Sequence, residues 1–160
     1  MKSGEKFVLA SVALLLLFGV VRSQVHVEES HEKDIPFYST ATAEVASRAM
    51  DVYRDNGCKS CHTLWTSQDM TQNVPAPMMD GIGSIRAEAW FYDYLSASDP
   101  QSIIPSRLKK QYRMPSFASM PEADRRLLAS YLASLKVQDW YLEETRKAEY
   151  EKLTGLVYKK

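Results

Sequence analysis

Gly57-Cys58-Lys59-Ser60-Cys61-His62 is the stretch on which the reading of this chain turns. Its two cysteines are the only ones in 160 residues, so no disulfide framework spans the fold and both thiols belong to one local site. Two thiols on one turn, with an imidazole next in line, suit a haem: the sulfurs reach its two vinyl groups while the histidine meets the iron. Three other chemistries share parts of this pattern. A dithiol redox site also uses Cys-X-X-Cys, but at a strand-to-helix junction in a strand-containing fold. A zinc site needs about four ligands, and the other histidines, His26 and His31, lie in a polar stretch. The plainest alternative is an incidental pair of thiols beside a surface histidine.

Working outward, Val45, Ala46, Ala49, Val52 and Tyr53 recur at helical spacing and predict an amphipathic helix over 43–56, ended by Gly57. Downstream, 63–83 is punctuated by Val74-Pro75-Ala76-Pro77 and Asp80-Gly81-Ile82-Gly83, which predicts a wrapping loop. Trp90, Phe91, Tyr94 and Leu95 form the apolar stripe of a second helix over 86–96, stopped before Asp99-Pro100. Ser119-Met120-Pro121-Glu122 has the form of a capping box and predicts a helix starting at Ser119. Its apolar face carries Leu127, Leu128, Tyr131, Leu132 and Leu135, and it ends over 136–139. The tail from Trp140 to Lys160 is charged and aromatic, and Glu143 with Lys147 suggests a solvated helix. No strand pattern is evident, so the fold class expected is all-α.

An electron-carrying iron benefits from a second axial ligand, because a closed coordination shell changes little between oxidation states. With histidine exhausted, methionine remains, although filling a core is its usual task. Met70, Met78, Met79, Met114 and Met120 are the candidates. Met114, between Arg113 and Pro115 in a loop ahead of the last helix, has the best context. Met120 is the runner-up, since the first turn of a capped helix would pin it.

From about Ala43 to Leu135 the chain resembles a class I mono-haem cytochrome c. The resemblance rests on Tyr53, Cys58 to His62, Pro77, Trp90, Met114-Pro115 and Tyr131-Leu132 taken in order. It implies three to four helices around one haem c, covalent through Cys58 and Cys61, with His62 and Met114 as iron ligands. It further implies that Pro77, or alternatively Pro75, offers its carbonyl to the His62 ring, and that Arg86 and Trp90 contact the haem propionates. A helix-start arginine and a core tryptophan are equally natural readings of those two. Tyr53 and Tyr131 then pack where the first and last helices cross, and Ala49 stands where the family usually has glycine.

Lys2 and Lys6 precede the unbroken apolar run from Phe7 to Val21, which Arg22 stops. As a helix the run rises about 22 Å against a hydrocarbon core of about 30 Å, so it suits a short anchor with snorkelling ends. A cleaved signal peptide is the alternative, but Val21-Arg22-Ser23 is a poor small-residue cleavage site. Either way basic residues stay inside and the rest lies across the membrane. The expected organisation is an anchor or signal peptide over 1–22, a polar tether over 23–42, the haem domain over 43–137 and a helical extension over 138–160.

Lys and Arg total 20, as do Asp and Glu, so no dominant pull toward nucleic acid is expected. The function expected is single-electron transfer on the periplasmic side of a bacterial inner membrane, between redox-protein donor and acceptor, with no substrate transformed. A relay subunit of a respiratory complex such as a terminal oxidase is the alternative, and a haem sensor or small peroxidase would need an open axial position.

Overall fold

The computed structural model describes residues 4–5, 11–20, 35–65 and 74–159; Met70, His26 and His31 lie outside them. The chain divides into a unit from Met1 to Ile35 and a unit from Pro36 to Lys160. In the first, residues 11–20 are helical and their side chains are exposed. Among the described residues no helix is long and apolar enough to cross a membrane; of the run expected as an anchor, 7–10 and 21 fall outside them.

The second unit is built on three helices: α1 (Ala43–Asp55), α2 (Glu88–Ser96) and α3 (Glu122–Ser134). α1 starts where Thr42 Oγ1 accepts from the Val45 amide at 3.3 Å, satisfying one of the donors that a first turn leaves open. α3 packs against both of the others. Ala49 on α1 and Ala129 on α3 are fully buried, with Tyr53 and Tyr131 almost so. Small side chains in a helix contact let the backbones approach, and the larger tyrosines then fill the flanks.

α3 begins three residues later than the capping box predicts. Pro121 is its N-cap, with extended backbone and no side-chain cap. The reason lies in the same tetrapeptide: a residue before proline is driven out of the α region, so no helix continues through Met120. That residue turns inward and is buried. Arg125 Nη1 instead donates to the carbonyls of Ala118, at 2.5 Å, and Met120, at 2.6 Å.

The helical frame carries one β-ribbon that the sequence did not announce. β1 (Phe37–Ser39) pairs antiparallel with β2 (Leu135–Val137), setting Phe37 opposite Val137 and Ser39 opposite Leu135. The Gln138 amide donates to the Pro36 carbonyl at 2.8 Å, and the Thr40 amide to Ser134 at 3.0 Å. Three-residue strands are too short to show alternation, and they arise here from the two chain segments flanking the helical core. Residues 36–42, expected in the tether, thus pack with the domain.

Beside β2, Gly83 lies against the end of α3. A Cβ built there would stand 2.2 Å from the Ala133 carbonyl oxygen, well inside contact distance. Lys136 Nζ donates to the Gly83 carbonyl at 2.6 Å, and the Val137 amide to Ser84 Oγ at 3.0 Å. The tail forms α4 (Leu142–Thr154). Contrary to the expectation of a solvated helix, it docks: Thr145 is buried, Phe37 meets Tyr141 edge-on at 5.6 Å, and Glu149 pairs with Arg86 at 3.1 Å. Gly83→Ala should force the turn off α3 and destabilise the domain by about 2–3 kcal/mol. A lowered denaturant midpoint at unchanged slope would show it, and an unaltered midpoint would refute the close approach.

Candidate functional site

α1 hands the chain to the cysteines through a sharp reversal. Gly57 adopts the left-handed conformation, with φ of 70°, where a side chain would be disfavoured. One 3-10 turn, Cys58–Ser60, follows, closed by the Cys61 and His62 amides on the Cys58 carbonyl at 3.2 and 2.9 Å. This single turn gathers both thiols and the imidazole on the wall of one cavity. The cysteines follow a helix rather than a strand, unlike a dithiol redox site. Among the described residues no group of His, Cys, Asp and Glu side chains could hold a metal ion by itself, which leaves zinc without support there.

Two contacts fix His62. Tyr53 Oη donates to the His62 carbonyl at 3.1 Å. Burial, with a smaller contribution from nearby Cys58, holds the tyrosine well above the ordinary phenol range, so it stays a neutral donor. His62 Nδ1 lies 2.8 Å from the Pro77 carbonyl. A carbonyl only accepts, so Nδ1 carries the hydrogen and Nε2 keeps the lone pair that a metal requires. Burial lowers the imidazole pKa, with the Pro77 carbonyl acting in the opposite sense; the neutral form so favoured is the ligating one.

The cavity measures about 370 Å³, and Cys58, Cys61, His62, Pro77, Trp90 and Met114 all line it. Their chemistry fits a haem: two thiols for thioether bonds, one oriented imidazole and one thioether sulfur. Met114 lies in a loop tied down by Gln101 Nε2, which donates to the Met114 carbonyl at 3.1 Å. Asp99 Oδ1 in turn accepts from the Gln101 amide at 3.0 Å, and Ser116 Oγ donates to the Ala97 carbonyl at 2.7 Å. Gln101 Oε1 is buried in the cavity wall and meets no donor among the described residues. Met79 also lines the cavity, but its amide is bound to the Thr63 carbonyl beside His62. Met78 and Met120 do not line it.

Arg86 and Trp90 part company. Trp90 is on the cavity wall, stacked on Tyr94 with ring centroids 5.0 Å apart. Arg86 is not among the lining residues; its guanidinium pairs with Glu149 at 3.1 Å and sits 5.1 Å over the Trp90 ring. Pro75 lines the cavity too, yet the imidazole bond goes to Pro77.

Sequence reasoning missed Gln101 and the contribution of α4, whose Glu149, Lys152 and Leu153 line the cavity. Leu142, Thr145, Glu149 and Leu153 follow one another at helical spacing, and that stripe was the available signal. Two of its members are polar, which disguises a docked face as a solvated one.

Burial pushes the Cys58 thiol up to about 11, since desolvation penalises the thiolate. In the haem-free chain at pH 8, Cys58 should therefore alkylate roughly tenfold more slowly than a free thiol, the scarcer thiolate being partly offset by its greater nucleophilicity. Peptide mapping after timed iodoacetamide treatment would measure this, and a rate equal to that of a model thiol would contradict the enclosure of Cys58.

A family model described as cytochrome c matches residues 46–136, a span running from α1 through the cavity residues to β2. No curated protein and no solved structure matches the chain. The matched span is more than half of the chain and holds the thiol pair, the oriented imidazole and Met114 around one cavity. The chain belongs to the cytochrome c family, whose members bind haem c covalently and transfer electrons.

Proposed function

We propose that the protein is a single-electron carrier with one haem c joined to Cys58 and Cys61 and its iron ligated by His62 and Met114. We further propose that it works on the periplasmic side of a bacterial inner membrane, held there by its N-terminal helix, and passes electrons between redox proteins of a respiratory chain. The observation that carries the ligation is the shared cavity: it takes in both His62, with Nε2 left as the ligating nitrogen, and the Met114 loop. A haem bound there supplies a one-electron iron couple. The protein's own part is to hold that group. Tyr53 and Pro77 fix the imidazole, Gln101 secures the Met114 loop, and the apolar wall from Phe91, Leu95, Leu128 and Leu132 keeps water away. A low-dielectric wall and a rigid ligand pair keep reorganisation small when an electron arrives.

The partner's chemistry is suggested by the cavity's surroundings. Arg107, Arg113 and Lys152 line it, and Lys109 and Lys110 are exposed beside them. Such a rim suits an acidic docking face, with the brief, salt-sensitive encounters usual for electron transfer. The location is supported by Lys2, Lys6 and the apolar run up to Arg22.

After expression with a cytochrome c maturation system, the haem should remain on the chain under denaturing conditions, and Cys58→Ala with Cys61→Ala should abolish that attachment. Met114→Ala should remove the methionine-to-iron absorption band while the haem stays attached; a band that persists would exclude Met114 as the ligand. In native membranes the intact chain should resist extraction by alkaline carbonate, whereas recovery of a shortened, freely soluble form would point to cleavage of the N-terminal segment.

A further inference from the structure

α4 lies wholly beyond the span matched by the family model, yet it supplies part of the cavity wall through Glu149, Lys152 and Leu153. It is fastened at both ends. Near its start, Tyr141 meets Phe37 edge-on. At its finish, Gly155 takes the left-handed conformation with φ of 71°, and its amide donates to Glu151 at 2.9 Å. Arg107 Nη2 donates to the Lys152 carbonyl at 3.4 Å, placing a cation where the last carbonyls of a helix concentrate negative charge.

Between these ends, Glu149 points at the core of the unit. Its side chain is only 12% exposed and meets Arg86 at 3.1 Å. Arg86 in turn covers the face of Trp90, another residue of the cavity wall. Glu149 lines the cavity and Arg86 does not, so the acid stands on the cavity side of the pair with its cation behind it. Burial raises the carboxyl pKa and the neighbouring guanidinium draws it back, consistent with a charge little screened by water.

We propose that Glu149 is a positioning residue that sets the electron affinity of the haem site, holding Arg86 over Trp90 and presenting negative charge to the cavity, so that the C-terminal helix is a working wall of the cytochrome. This rests on the haem reading above. A negative charge at the wall favours the oxidised, more positive iron and disfavours its reduction; a positive charge does the reverse.

Opposite signs make the test specific. In full-length protein with covalently attached haem, Glu149→Gln should raise the equilibrium constant for reduction by a few-fold and Arg86→Gln should lower it. Glu149→Asp, which keeps the charge, should stay near the wild-type value. The measurement is a potentiometric titration followed by haem absorption, with attachment verified in each variant on a denaturing gel. Looser packing alone would move Glu149→Gln and Arg86→Gln the same way, through solvent entry, and would make Glu149→Asp resemble Glu149→Gln. Either pattern, or a Glu149→Gln protein titrating with the wild type, overturns the proposal. Absence of covalent haem from the wild type would instead overturn the assignment of the haem itself.

Discussion

A hydrogen bond 2.8 Å long between the His62 ring and the Pro77 carbonyl couples two parts of the chain that share no regular secondary structure. On one side stands the turn that ends α1; on the other, the proline-punctuated segment that leads to α2. Because the acceptor is a backbone carbonyl, its position is inherited from the whole path of that segment, and the ring's tautomer and direction are inherited from it in turn. Prolines suit this task. They restrict the backbone before folding is complete, so less conformational freedom is lost when the carbonyl is brought to the ring. The surrounding features converge on the same point, Tyr53 holding the His62 backbone and Gly83 letting the segment run close along α3.

How much of this was legible depended on the range of the interaction. The α1 and α2 stripes are local periodicities, and both helices stand close to where they were expected. The thiol pair and the imidazole are neighbours along the chain, so one turn suffices to place them. Met114 stood out among the methionines by its place ahead of the last helix and its proline neighbour, and it lies on the cavity wall, as Met79 also does. The start of α3 was misplaced because two local rules conflict over Ser119-Met120-Pro121-Glu122, and the steric exclusion imposed by proline outweighs the reward of a capping box. The ribbon and the docking of α4 were hidden for another reason. Each joins segments about a hundred residues or fewer apart through a few contacts of mixed polarity, and nothing in a short window of sequence encodes such a pairing.

Arg86 illustrates how a likeness can place a residue in the right neighbourhood and leave its partner open. Its position ahead of α2 agrees with the resemblance, and the wall it supports belongs to the same cavity. In this chain, however, the tail provides Glu149, and the guanidinium is engaged by that carboxylate and by the Trp90 face. A cation held between an anion and an aromatic ring has little freedom to reorient. The extension thus adds a carboxylate to the wall that Arg86 and Trp90 build.

The ribbon gives the domain a neck. Its incoming strand, β1, and its outgoing strand, β2, run antiparallel, and the Gln138 amide meets the Pro36 carbonyl at the open end. The chain therefore enters and leaves the three-helix core at one place, and a force drawing β1 and β2 apart from that end would load the ribbon's hydrogen bonds one after another. Hydrogen bonds loaded one at a time yield at far lower tension than bonds sharing a load. A pull from beyond α4 would first have to lift that helix off Arg86 and Arg107; the neck would then peel before the Ala49–Ala129 crossing felt it, a mechanical fuse for the helical core.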